Sequence, residues 1–243
     1  MIWADLPSPA LGGQPAMVAL WPIGATEQHG PHLPCGTDTQ IADSVCRAAA
    51  AVEPGLAVLP ALPVGCSAAH TDRWPGTLAL MPRTLIGLVV EVAEWVEASG
   101  WSRLLLVNGH VGNVSPLRCA IDELRHQRPF LRAGLVNTWE LGERVREAFI
   151  ADAGDWHANR AETSVMLALA PALVGDRAGA DDPDRTGGTV FAWSVGATSR
   201  NGVTGAPSLA ASEAGGTLLQ QMTDELVRLA RQAADERPPV EVQ

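Results

Sequence analysis

The chain has 243 residues, 47% of them hydrophobic and 18% charged, so it can bury a full core and is not composed like a disordered segment. Its net charge is −10. Its basic residues are all arginine and form no cluster, which argues against nucleic acid or an anionic membrane as a partner.

Short apolar runs alternate with longer amphipathic ones, the pattern of strands interleaved with helices in an α/β protein. In chain order the expected strands are Met17 to Ile23, Leu56 to Leu62, Leu104 to Val107 and Leu131 to Thr138, with a further extended segment near Thr189 to Val195. The expected helices run from Thr39 to Ala51, Thr84 to Ser99, Ser115 to Arg128, Trp139 to Ala151, Arg160 to Ala170 and Ser212 to Ala234. The last repeats apolar residues at Leu218, Leu219, Met222, Leu226 and Leu229, a helical spacing. No repeat or linker divides the chain. One domain over residues 1–243 is expected, with its last few residues disordered.

Cys35, Cys46, Cys66 and Cys119 are scattered without a Cys-x-x-Cys pair, so neither a disulfide framework nor a thiolate zinc site is indicated. The N-terminus lacks a basic region followed by a long apolar one, and no apolar run reaches the ~18 residues of a membrane span. A cytoplasmic protein is the expectation.

The most informative block is Glu27-Gln28-His29-Gly30-Pro31-His32-Leu33-Pro34, closed by Asp38, just past the first apolar run. Asn108-Gly109-His110 follows another such run, and Asp155-Trp156-His157 precedes Glu162-Thr163-Ser164. In an open α/β sheet, ligands gather at the carboxyl ends of strands, where neighbouring loops bring such residues together. Glu27 and His29 are two apart, so an extended backbone sets them side by side on one face. That fits two metals, one held by each, with Asp38 between them and His110 and Glu162 supplying further ligands. Nitrogen and carboxylate donors without thiolate suit zinc, manganese or iron. Two such cations acidify a water and polarise a carbonyl, which is what amide hydrolysis at neutral pH requires.

These segments closely resemble the creatininase family of amidohydrolases, and Pro75-Gly76-Thr77 after His70 and Trp74 is similar to a family element. The resemblance spans Trp21 through Gly205. It implies a three-layer α/β/α sandwich with a mostly parallel sheet, and two divalent metal ions, zinc first with manganese or iron as alternatives. It also implies a homo-oligomer, often a hexamer. By position, Glu27, Asp38 and His110 would hold one metal, and His29, Asp38 and Glu162 the other. His157 resembles the catalytic histidine, protonating the leaving nitrogen after attack by a metal-bridging hydroxide. Creatinine-cleaving members resemble Asn-Gly-His-x-Glu-Asn, whereas this chain reads Asn108-Gly109-His110-Val111-Gly112-Asn113, which moves the expectation away from creatinine. A small amide, cyclic amide or formamide is the first expectation. Trimming of a short peptide, as in mycofactocin maturation, is the second.

Plainer roles exist for each residue. Asp38 would serve as a helix N-cap, Glu162 as a first-turn acid favoured by the helix dipole, and His110 as a core histidine. His157 would serve as a hydrogen-bonding neighbour of the ligands. His32 is either such a donor or structural. His70 and Trp74 line the substrate pocket or belong to a subunit contact, and Trp139 and Trp156 shape a flap over the site, Trp156 against substrate, or pack. The rival of another class is a non-catalytic metal-binding scaffold. A serine or cysteine hydrolase is weaker still, because no Gly-x-Ser-x-Gly elbow is present.

Overall fold

The computed structural model describes residues 1–12 and 17–240. The expected disorder of the last few residues lies in part outside them. Four strands form one parallel sheet in the order β2-β1-β3-β4: β1 (Val18–Ile23), β2 (Leu56–Val58), β3 (Arg103–Asn108) and β4 (Arg132–Asn137). The longer helices are α1 (Thr37–Val52), α2 (Pro82–Ala98), α3 (Val114–Gln127), α4 (Glu143–Ile150), α5 (Arg160–Leu169) and α7 (Ser212–Asp235). A single turn, α6 (Val195–Thr198), precedes the last of them.

Side chains alternate across a strand, and β1 uses both faces. Val18 and Leu20 pack with residues of α1, α5 and α7, whereas Ala19, Trp21 and Ile23 pack with α2 and α3. The sheet is therefore the middle of three layers, buried on both sides, which explains why its strands read as continuous apolar runs. The crossover from β1 to β2 carries α1 on one face, and that from β2 to β3 carries α2 on the other. The order thus reverses between β1 and β3, whose carboxyl ends lie side by side.

Three expectations need correction. The strand expected over Leu56 to Leu62 ends at Val58, because Pro60 and Pro63 cannot donate to a ladder; only an isolated bridge joins Ile23 to Leu62. The helix expected over Trp139 to Ala151 splits into a 3-10 turn (Thr138–Glu140) and α4 at Gly142, whose φ of 94° is a left-handed conformation open to glycine. The segment Thr189 to Val195 is not a strand. It runs as an exposed loop into α6.

Candidate active site

The loop after β1 is bent back on itself by a hydrogen bond from the Glu27 N–H to the Cys35 carbonyl at 2.9 Å, so Glu27 and His29 both turn inward. Asp38 lies within the first turn of α1. Gly36 occupies the N-cap, so the plainer alternative for Asp38, a helix cap, is not the role it plays. Beyond β3, the Asn108 side chain accepts the His110 N–H at 3.0 Å and donates to the His110 carbonyl at 2.8 Å, which fixes the direction in which the imidazole leaves the sheet. Glu162 is the third residue of α5, where a capping box joins it to Asn159. The N-cap backbone N–H reaches Glu162 Oε2 at 3.4 Å, leaving Oε1 to face His29.

Glu27, His29, Asp38, His110 and Glu162 are all buried. His29 Nε2 lies 3.0 Å from Asp38 Oδ1 and 3.5 Å from Glu162 Oε1. His110 Nδ1 lies 3.3 Å from both Glu27 Oε1 and Asp38 Oδ2. Two donors each about 2.05 Å from one tetrahedral cation are about 3.3 Å apart, so these spacings are those of ligand atoms around ions. The imidazoles are also aimed for this. The far nitrogen of His29, Nδ1, sits 3.1 Å from the Glu27 carbonyl, and that of His110, Nε2, sits 3.1 Å from the Cys66 carbonyl. Each carbonyl takes the ring proton and turns the lone pair of the other nitrogen inward, the usual way a metal-binding histidine is oriented. Glu27 Oε2, His29 Nε2 and Asp38 Oδ2 are buried with no hydrogen-bond partner. Unsatisfied buried polar atoms are costly, and their concentration here calls for a bound group.

Electrostatics agree. Burial opposes a charged imidazolium, yet Asp38 and Glu162 hold His29 well above its ordinary pKa, and Glu27 and Asp38 do the same for His110. Burial would raise the carboxyl pKa of Glu27, but His110, with His70 and His157 behind it, drives it well below the usual range. Asp38 is lowered likewise: burial works against ionisation, but His29 overcomes it despite the nearby Glu27. A cluster whose carboxylates favour positive charge at its centre suits divalent cations.

His157 enters from the loop before α5, where Ala158 adopts a left-handed φ of 49°. Its Nδ1 stands 3.7 Å from Glu27 Oε1, and burial, together with the charge on His29, lowers its pKa. It also lies close to both His29 and Glu162, so its place is at the rim of the carboxylate–imidazole cluster rather than behind it. His70 approaches Glu27 Oε2 to 3.7 Å, and burial, with the charge on His157, lowers its pKa to about 3. A cavity of about 210 Å³ opens onto Glu27, Asp38, His110, His157 and Glu162; His70, Gly112, Trp156 and Trp193 also line it. Trp74 is outside this lining. It is half-buried, with the Arg73 guanidinium 5.2 Å from its ring. His32 is buried away from the cavity, its Nε2 2.8 Å from Thr163 Oγ1, and ties the loop after β1 to α5.

Sequence reasoning missed three contributors. Asn159 caps α5, and its Asn-x-x-Glu spacing was a readable capping-box signal. Asn113 accepts the Cys66 N–H at 2.8 Å and donates to the Gly24 carbonyl at 3.0 Å, joining three loops under the site. Gln28 lies between two of the histidines, and nothing in its local sequence marks it out.

Fold and site together define an α/β protein with a buried carboxylate–imidazole cluster at the topological switch point of a parallel sheet. The chain belongs to the creatininase family: the family model described as Creatininase: Creatinine amidohydrolase matches residues 4–230. It is thus a creatininase-family amidohydrolase. It is 36% identical over 232 residues to the mycofactocin precursor peptide peptidase of Mycobacterium ulcerans (strain Agy99), covering 87% of this chain and 84% of that protein. It is 31% identical over 176 residues to the creatinine amidohydrolase of Pseudomonas putida, covering 65% and 66%. Among solved structures, a mutant creatininase of the Zn-Zn type matches with a TM-score of 0.79 at 26% identity, covering 97% of this chain and 98% of that one. A structure titled Creatininase Mn matches at 0.80 and 25%, covering 97% and 99%.

Proposed function

We propose that the chain is a metal-dependent hydrolase that cleaves an amide bond in a short peptide. The observation that carries the metal part is the buried set of inward-facing donor atoms at spacings of 3.0 to 3.5 Å. Glu27, Asp38 and His110 would hold one divalent cation, and His29, Asp38 and Glu162 a second. Their all-oxygen-and-nitrogen chemistry favours zinc, with manganese as the alternative. Bound there, the cations would supply an acidified water and a polarised carbonyl.

The protein's own groups then manage protons. His157 Nε2 is 2.8 Å from the Gln28 carbonyl and donates its proton there, so Nδ1 carries the lone pair that faces the cavity. With its pKa lowered, the ring is neutral at neutral pH and takes a proton from the attacking water at Nδ1. The same atom returns that proton to the departing nitrogen. Trp156, packed against Phe149 with ring centroids 4.9 Å apart, walls the cavity on the side of His157.

Two observations support a peptide over creatinine, reversing the order that the sequence alone suggests. Similarity is higher and covers more of the chain for the mycofactocin precursor peptide peptidases than for the creatinine amidohydrolase. In addition, a Cβ at Gly112 would collide with the Cys66 carbonyl oxygen and lie 2.5 Å from His110 Nε2. The loop therefore has no room for the glutamate of the creatinine-cleaving pattern. The test is turnover by the zinc- or manganese-loaded protein on a panel of short peptides, creatinine and formamides, followed by mass spectrometry. Shortened peptides are expected. Turnover of creatinine or a formamide with every peptide intact would remove the peptide reading. Full metal content and activity in both Glu27→Gln and His110→Ala would remove the ligand assignment.

A further inference from the structure

Gln28 sits in the middle of the site without belonging to its ligand set. It is buried, and its carboxamide is clamped from two sides by backbone. The Gly30 N–H donates to Oε1 at 3.1 Å, and Nε2 lies 3.2 Å from the Gly202 carbonyl. Exchanging the amide oxygen and nitrogen would set N–H against N–H at Gly30 and carbonyl against carbonyl at Gly202, so these contacts fix which end is which. Gly202 has a φ of 83°, and a Cβ there would collide with Gln28 Oε1, so the loop is built against the amide. The Gln28 N–H donates to Thr77 Oγ1 at 3.0 Å, which anchors the residue from a third side.

Orientation of the amide has a consequence for two imidazoles. Nε2 of Gln28 lies 3.1 Å from His70 Nδ1 and 3.1 Å from His157 Nε2. An amide nitrogen has two protons, and one goes to Gly202. His157 Nε2 is also 2.8 Å from the Gln28 backbone carbonyl, which must receive a proton from it, so that nitrogen is a donor and cannot accept. The second amide proton therefore goes to His70 Nδ1. Both rings then carry their proton on Nε2 but present opposite ends to the cavity. His70 shows an N–H toward Glu27 Oε2 at 3.7 Å, and His157 shows a lone pair toward Glu27 Oε1 at 3.7 Å. The two rings are 4.4 Å apart between centroids.

We propose that Gln28 is a positioning residue whose side-chain amide holds His70 as an N–H donor toward the substrate oxygen, while its backbone carbonyl holds His157 as a proton acceptor. This builds on the hydrolase reading above, for which the two rings form a donor and acceptor pair over one carboxylate. The arrangement also separates the two halves of Gln28, since a side-chain substitution should move the His70 proton and leave the His157 proton on Nε2, where the backbone carbonyl holds it.

Long-range proton–nitrogen NMR of histidine-labelled, zinc-loaded protein at neutral pH reads both tautomers directly, with His70→Asn and His157→Asn identifying the signals. For the native chain, both rings should carry the proton on Nε2. In Gln28→Glu the isosteric carboxylate accepts where the amide donated, so His70 should move its proton to Nδ1 while His157 is unchanged. On whichever substrate is turned over, kcat should fall about 100-fold, as on loss of one oxyanion donor, with KM and zinc content little changed. A native His70 protonated on Nδ1, or one whose Nε2 binds zinc, would overturn the proposal without any variant being made. So would a Gln28→Glu protein with native kcat and an unmoved His70 proton. The spectra need no substrate, so they stand or fall separately from the peptide assignment.

Discussion

At the scale of single residues, the site depends on side chains that hold other side chains. Gly112 is the clearest case, because any Cβ there presses on His110 and on the Cys66 carbonyl that orients it. Gly112→Ala should therefore weaken zinc binding by about 10- to 100-fold, the usual cost of disturbing a group that orients a metal ligand. Calorimetric titration of the stripped protein would measure this, and native affinity would show that the loop yields without moving His110. Asn159 acts on Glu162 in the same indirect way. Its side-chain oxygen accepts the Ala161 and Glu162 N–H groups, and its amide donates to the Phe149 carbonyl at 2.7 Å and to Asp152 Oδ1 at 2.9 Å. Asn159→Ala removes a helix cap and leaves buried partners unmet, so urea unfolding should show a loss of at least ~1–2 kcal/mol. A loss within ~0.5 kcal/mol would mean that the first turn of α5 is held by something else.

Elements were legible where the chain's own periodicity decides them. α7 shows this: its repeating apolar face is the one that packs on α5 and α1, with Leu218, Met222 and Leu226 buried. Leu226 is fully buried, and Leu226→Ala should cost about 2–5 kcal/mol, read as a lower urea midpoint with an unchanged slope. What the pattern could not supply were breaks imposed by single residues. Gly142 divides one expected helix in two, and the prolines after Val58 cut a strand short, although both residue types were visible in the sequence. The Thr189 to Val195 error has a different origin. Val190, Phe191 and Trp193 have strand-like composition, but they are exposed and no strand lies beside them to complete a ladder, among the described residues. Site residues follow the same division. Glu27, His29 and His110 were readable as candidates because they follow strand ends closely, and Asp38 because it closes the same block at the start of α1, whereas Gln28 gains its role only from His70, His157 and Gly202, which are 42, 129 and 174 residues away.

Across the molecule, two charge balances set how stability should respond to solution conditions, and they lie in different places. Glu27, Asp38 and Glu162 converge in one buried cluster, so removing the divalent cations proposed for it should destabilise the whole fold. At a free cation concentration of 100 times Kd, bound cation adds about 2.7 kcal/mol, roughly 5–10 °C in melting temperature for a chain of this length. Stripping with a chelator should lower the transition by that order and zinc should restore it; an unchanged transition would separate the cluster from cation binding. Asp182 provides the second balance, on the strap that carries Gly202 to Thr204 past His157. Its carboxylate meets Arg185 at 2.5 and 2.9 Å, Ser199 Oγ at 3.0 Å and the Arg200 N–H at 2.8 Å. Arg185 first, with Arg200 and Ser199, lowers its pKa to about 2 against an opposing effect of burial. A folded pKa below the unfolded one means that the stabilisation is complete above the ordinary aspartate value near 3.9 and is lost as pH falls from there through about 2. The amount is about 2 kcal/mol. Asp182→Asn should therefore lower stability at neutral pH and flatten its dependence on pH across that acid window, and urea midpoints measured from pH 5 downward would show both effects. A variant that keeps the native slope would place the acid sensitivity on other carboxylates and free the strap from dependence on this ion pair.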